Sequence, residues 1–341
     1  MLDQLPTELV EAILEHLLPP VEPVWDARYI PDDLIAASRT CTSIRAVARP
    51  LIWCEVKVQS ATGSERLLDL LTDGTASDMF DAVRVVRGLD AVLARALALE
   101  APADLRALWL FYLRIEPVTI QYTFANLVEL SLTAIEAVGE SLSSLLSTAS
   151  LPALRALALL VSDDLLDDPP FPTLSDPFLA QLELLQLYSP DAALIPPALL
   201  RSTSTPVVFI VVPDDEKRAE YTPVASRHAA ILGDPAKDEE IAIDLGMFCR
   251  PAFPLDTLHL PIRLHPSRFF DAVEADPTKA GVLASIEATL AACVRNGTEV
   301  LWLGQATERT YAVAPELWRW AKKLKAKLAL EAGGGSGASE P

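Results

Sequence analysis

The side chains best suited to proton transfer or metal binding near neutral pH are the four histidines, His16, His228, His259 and His265. None belongs to an HExxH pair, and the six-residue gap between His259 and His265 suits neither one helix face nor one strand face. Acidic residues gather at Asp163-Asp164, Asp167-Asp168, Asp214-Asp215-Glu216 and Asp238-Glu239-Glu240. These runs read as solvated loops and lack the spacing of a calcium-binding loop. No GxGxxG follows a strand and no GxxxxGK[ST] exists, so phosphate cradling by a glycine loop has no support. The one run like a nucleophile elbow, Gly335-Ser336-Gly337, sits in a glycine-rich end without strand or helix around it. The expectation is a chain without catalytic residues, metal ligands or cofactor.

The chemistry that remains is recognition, and the whole chain sets its bounds. With 341 residues, 51% of them hydrophobic, there is material for about two domains with a large core. Forty-seven acidic against 28 basic side chains give a net charge of −19. Such a field repels phosphate backbones and anionic bilayers, so neither nucleic acid nor membrane is an expected partner. Cys41, Cys54, Cys249 and Cys293 are far apart with no CxxC, which reads as buried free thiols in a reducing compartment. Asp3 precedes any apolar run and no basic leader is seen; apolar runs such as Val207 to Val212 are too short to span a bilayer. The expected location is cytoplasmic or nuclear.

Three helices are predicted at the front. Leu9, Ile13, Leu14 and Leu17 form one helical stripe after Leu5-Pro6, with Thr7 as a cap. Leu34, Ala37, Ser38 and Cys41 mark a second helix, and Ile44, Val47, Ala48 and Leu51 a third that ends at Trp53. Fifty residues bury little apolar surface, so the module needs a partner or an adjoining domain. The run LPxEL, ILxxL, DLIAASxTC and IRxxARPLIW over about Leu2 to Val58 resembles an F-box, the motif that docks on a Skp-family adaptor in cullin–RING ubiquitin ligases. The resemblance implies that Leu5, Pro6, Leu9, Ile13, Leu14, Leu17, Leu34, Ser38, Cys41 and Trp53 face the adaptor or form the module's core. Two departures stand out: a long proline-bearing gap from Leu18 to Asp32, and Ile44 where many family members carry an aromatic. The alternative is a generic three-helix cap burying its own leucines.

Beyond the helices, strands are predicted at Glu55 to Val58, Phe80 to Val86, Val207 to Val212 and Ile241 to Leu245, and helices at Glu65 to Leu71 and Ala91 to Glu100. An LxxLxL motif starts at Leu105, Leu127, Leu154, Leu182 and Leu255, and Val300 to Leu303 echoes its end. The first four copies begin 22, 27 and 28 residues apart, close to the period of leucine-rich repeats. Helical pieces such as Ile135 to Leu146 lie between them, and Pro213 to Lys237 reads as a polar surface excursion. The region resembles a degenerate leucine-rich-repeat solenoid. Leu113, Ile135, Ser162, Pro190, Arg263 and Ala306 stand where that family places its asparagine or cysteine, so no asparagine ladder can form. An α/β layer protein with leucine-rich strands is the alternative.

The residue between the last two leucines of each copy is predicted to point onto an open sheet face. Trp109, Gln186, His259 and Trp302 hold that position and are the candidate substrate-binding residues, with Arg106, Arg155 and Glu129 at the margin. Alternatively, loops or the C-terminal helix cover these rings. That helix, within 311–331, carries Leu317, Trp318, Trp320, Ala321, Leu324 and Leu328 on one stripe, with Lys322, Lys323, Lys325 and Lys327 around it. It reads as a cap over the last repeat, or else as a membrane or partner helix. The predicted architecture is α+β or α/β: an F-box over 1–58, an irregular leucine-rich-repeat-like solenoid over 59–310, a capping helix over 311–331 and a flexible tail over 332–341. The resemblance implies a non-catalytic substrate-receptor subunit of an SCF-type ubiquitin ligase, its partners a Skp-family adaptor, through it a cullin, and an unknown target protein. A repeat scaffold outside any ligase is the alternative, and an enzyme with an unrecognised site the third.

Overall fold

The computed structural model describes residues 6–15, 32–58, 82–88, 104–111, 114–115, 123–133, 136–137, 139–160, 172–188, 195–202, 204–211, 226–232, 255–268, 279–304 and 313–334, with isolated positions at 62–63, 65–66, 69, 273 and 276. Three helices open it: α1 (Thr7–Glu15), α2 (Asp32–Ser38) and α3 (Thr42–Ile52). Pro6, not Thr7, precedes the first helical turn, and its carbonyl accepts the amides of Leu9 and Val10 at 3.0 and 3.1 Å. Cys41 takes an N-cap role, its Sγ accepting the Ile44 amide at 3.5 Å. Val10, Leu14, Leu34, Ile44 and Ala48 form a small core of their own, so the aliphatic Ile44 fills its place. Trp53 closes α3 and packs on the larger core beyond, joining the two parts.

The body is an α/β fold around one ten-stranded sheet. Its strands are β1 (Glu55–Lys57), β2 (Val85–Gly88), β3 (Ala107–Phe111), β5 (Glu129–Thr133), β7 (Ala156–Leu160), β8 (Leu184–Tyr188), β9 (Val207–Val211), β10 (His228–Ile231), β11 (Thr257–Pro261) and β12 (Glu299–Leu303). Each pairs in parallel with its neighbour, in chain order from end to end. A separate parallel pair joins β4 (Arg114–Ile115) to β6 (Glu136–Ala137). Parallel neighbours require crossovers. Helices α4 (Gly139–Leu145), α5 (Asp176–Gln181), α6 (Pro197–Leu200) and α7 (Ala280–Asn296) lie in them, and α8 (Pro315–Gly334) ends the chain's described part. α7 stops at Gly297, whose φ of 72° is the left-handed conformation that glycine accepts at a helix end. Among the described residues, no helix is long and apolar enough to cross a membrane.

One sheet face carries the leucines. Leu110, Leu132, Leu159, Leu187, Phe209, Ala229 and Leu258 line up across seven strands and join one continuous core. Every residue of β5, β8, β10 and β11 is buried, which requires cover on the opposite face too. That cover is α8. Val313, Ala314, Leu317 and Ala321 lie against Ala156, Ala158, Leu184, Tyr188, Val208, Ile210 and Ala230 in a second core. The helix therefore roofs the middle of the sheet as well as reaching the last strand, where Leu303 joins the same core.

Three other expectations change. Inside the segment expected to be a polar excursion, His228–Ile231 forms β10 and inserts between β9 and β11. Two small alanines in a short strand give little periodic signal, and burial on both faces makes it a strand. The helix expected from Ile135 is preceded by β6 and starts at Gly139. α8 also continues to Gly334, three residues into the expected tail. The strand expected at 241–245 and the helix at 91–100 fall outside the described residues.

Candidate functional site

α1 divides its apolar residues between two directions. Val10 and Leu14, four apart, enter the small helical core at 7% and 5% exposure. Leu9 and Ile13, one position earlier and hence rotated about 100° around the axis, are 53% and 45% exposed. Pro6 is exposed beside them. Of the other adaptor-facing candidates, Leu34 is fully buried, Ser38 and Cys41 are half-buried, and Leu5 and Leu17 fall outside the described residues. Ser38 turns its hydroxyl to the Ile35 carbonyl at 2.7 Å, and Arg45 Nε donates to the Ser38 carbonyl at 3.1 Å. These bonds fix the α2–α3 corner and leave the Leu9–Ile13 pair as the apolar feature facing water. Val10, which the motif does not single out, anchors the helix that presents it.

The candidates on the sheet are not an open face. The Trp109 indole is buried and donates to the buried Glu129 carboxylate at 2.8 Å across β3 and β5. Gln186 is wholly buried under α8, where its side-chain oxygen accepts the Ala314 amide at 2.8 Å and its Nε2 reaches the Tyr188 hydroxyl at 3.3 Å. His259 is 1% exposed. Trp302 points the other way. β12 pairs Leu260 with Trp302, so Trp302 sits on the leucine face, its ring 4.6 Å from that of His265. The echo motif is offset by one residue from the leucines of β11, and a one-residue offset reverses every side chain. A two-residue offset also enters after β8: Gln186 shares its row with Thr257, while His259 aligns with the row of Tyr188. An even offset preserves the face and changes the neighbours.

Helix α8 is held by polar contacts around its apolar stripe. Trp318 Nε1 donates to Glu183 at 2.8 Å, Lys322 lies 3.4 Å from the same carboxylate, and Glu316 accepts the Gly304 amide at 2.5 Å. Lys325 donates to the carbonyls of Ala180 and Leu182 at 2.7 and 2.6 Å. Burial, the largest influence, pushes its pKa down. These carbonyls end α5, where a cation is favoured.

Beneath the far side of α8 lies a group of which the motif marked His259 alone. His228 Nδ1 is 3.0 Å from the Thr257 hydroxyl, which is 3.4 Å from His259 Nε2. Trp320 presents an edge to both imidazoles at 5.0 and 4.5 Å. Burial drives the pKa of His228 down to about 4 and, helped by repulsion from His228, that of His259 to about 3. Both rings are therefore neutral at pH 7. A hydroxyl between two imidazoles is the raw material of a nucleophile, yet all three groups are buried beneath the indole. With α8 seated they pair one another's polar atoms. Neither a family model, nor a curated protein, nor a solved structure matches this chain.

Proposed function

We propose that this chain is the substrate-receptor subunit of an SCF-type ubiquitin ligase, with α1–α3 acting as an F-box that holds a Skp-family adaptor. The observation that carries the reading is the outward pair Leu9 and Ile13 on a helix whose inward pair, Val10 and Leu14, already completes a core. Exposed large aliphatic side chains four apart cost solvation and are retained where another protein covers them. They coincide with the LPxEL and ILxxL stretches that the family uses for adaptor contact. In this reading the body is a degenerate leucine-rich-repeat solenoid, supported by ten parallel strands in chain order and the leucine rows that cross them. It acts as a non-catalytic holder of a target protein, and the adaptor links it to a cullin.

Co-purification of the tagged full chain with a Skp-family adaptor and a cullin tests this. The expected result is capture of both, abolished by Leu9→Asp with Ile13→Asp while the thermal unfolding midpoint is retained. Adaptor without cullin selects a scaffold outside the ligase; no adaptor at all ends the reading.

A further inference from the structure

The N-terminal ends of the strands form one aligned row. The Arg84 carbonyl accepts the Arg106 amide, that of Arg106 the Val128 amide, and that of Val128 the Arg155 amide, each at 2.8 Å. The Arg155 carbonyl accepts the Glu183 amide at 2.6 Å. Arg84, Arg106, Val128, Arg155 and Glu183 therefore stand side by side, immediately before β2, β3, β5, β7 and β8. The ladder gathers three arginines that lie far apart in the sequence and belong to no common motif.

The two halves of this edge treat their charges differently. In the later half the chain pairs them itself: Arg227, before β10, holds Asp256, before β11, at 2.6 Å, and Glu183 takes Trp318 and Lys322 of α8. In the earlier half it does not. Among the described residues, Arg84 and Arg155 have no carboxylate within ion-pairing distance, and Arg106 has only Asp104, at 4.0 Å. Arg155 donates to the Gln181 carbonyl at 3.4 Å, and all three arginines are exposed. Glu129, on the strand beside Arg106, is committed to Trp109. α8 adds a further cation here, Lys325, bound to the carbonyls of Ala180 and Leu182 just before Glu183. Like charges on neighbouring strands repel, so Arg84 beside Arg106 is unfavourable until an acid joins them. In a chain of net charge −19, this basic edge is the exception.

We infer that this edge docks a short acidic segment of another protein, laid across the ends of β2, β3, β5 and β7. Neighbouring strands are about 4.8 Å apart, so Arg84 and Arg155, three strands apart, span about 14 Å. An extended peptide advances about 3.4 Å per residue and turns alternate side chains to one side. Carboxylates at its positions i, i+2 and i+4 therefore cover the same length. The middle one comes within reach of Arg106, and a guanidinium fork receives a carboxylate through two bonds. Val128, half-buried between Arg106 and Arg155, gives the peptide an apolar rest. A long polyanion such as a nucleic acid fits less well. Past Arg155 the row continues with Glu183, and the net negative charge of the chain repels every further phosphate. The row makes no use of α1–α3, so the docking holds with or without an adaptor there.

Fluorescence anisotropy of the full chain with a labelled nine-residue peptide, bearing aspartate at its third, fifth and seventh positions, tests this at about 20 mM salt. The expected dissociation constant is on the order of 100 μM, about tenfold weaker at about 200 mM salt and for a peptide with asparagine in place of aspartate. Arg84→Glu with Arg106→Glu is expected to abolish binding while the thermal unfolding midpoint is retained, since both side chains are exposed. The milder Arg84→Gln weakens it about threefold. Arg227→Gln, in the same row but already paired, leaves the affinity within about twofold. Equal binding of the two peptides overturns the inference, as does binding indifferent to Arg84→Glu with Arg106→Glu. Tighter binding of a nine-thymidine oligonucleotide overturns it too, by making the edge a nucleic-acid contact. So does a tenfold gain in peptide affinity when Asp163, Asp164, Asp167 and Asp168 are changed to asparagine, which would give the row to the chain's own acidic run.

Discussion

Helix α1 and the sheet face under α8 break the usual partition of side chains in opposite senses. α1 keeps Leu9 and Ile13 in water, although Val10 and Leu14 beside them are buried. The sheet face hides Gln186, His228, Thr257 and His259, all at or below 6% exposure. Water penalises both arrangements, so each needs an explanation. The buried polar groups find theirs inside the molecule, in the Gln186–Ala314 bond and the His228–Thr257–His259 chain. The exposed pair on α1 finds none among the described residues. These buried polar groups mark a contact the chain makes with itself, and the exposed pair on α1 is the surface that the proposed reading gives to another protein.

Acid separates the two regions most strongly. Between the ordinary value of 6.5 and the folded values near 4 and 3, His228 and His259 take up protons in the unfolded chain but not in the folded one. Their neutral burial contributes stability that is complete above pH 6.5 and is lost as pH falls through the folded values. Between pH 7.5 and 5 each histidine is expected to remove about 2 kcal/mol, read by urea unfolding at the two pH values. Replacing both by glutamine is expected to flatten that dependence. Leu317→Ala, which empties a fully buried site between α8 and the sheet, is expected to cost about 3 kcal/mol in the same measurement at pH 7.5. Gln186→Leu removes the acceptor of the Ala314 amide and should cost about 2 kcal/mol by leaving that buried donor unpaired. The smallest effect belongs to α1. Leu9→Ser with Ile13→Ser is expected to shift stability by about 0.5 kcal/mol or less, since solvent already surrounds both side chains. A loss as large as that of Leu317→Ala would mean that this pair is core, and the contrast between the regions would disappear.

Much of this organisation is legible in local pattern. The 3.6-residue spacing at Leu14, Leu34, Ile44 and Ala48 and the LxxLxL runs depend on neighbours in the chain, and both emerge as core, whereas Val10 takes the inward place that the stripe gave to Leu9 and Ile13. α8 is visible for the same reason, with its apolar stripe intact from Leu317 to Leu328. Its landing place is not, because an amphipathic helix specifies that a face is buried and leaves open against what. Trp302 shows the limit for strands: motif spacing names the partners of a residue only if the ladder keeps its register, and β12 is offset by one. β10 shows the limit for short elements, since His228–Ile231 becomes a strand through β9 and β11.

Composition and periodicity alone determined that this chain builds leucine-faced parallel strands behind a small helical front, because those features rest on backbone geometry and the burial of nearby apolar side chains. Tertiary packing decided which polar residues are sealed and which apolar ones stay wet. Gln186 and His259 were destined for an open face until α8 lay down on them, and Leu9 stayed outside because Val10 took the inward place. Such outcomes depend on contacts between residues more than a hundred positions apart, such as Gln186 and Ala314, whose meeting no local spacing encodes.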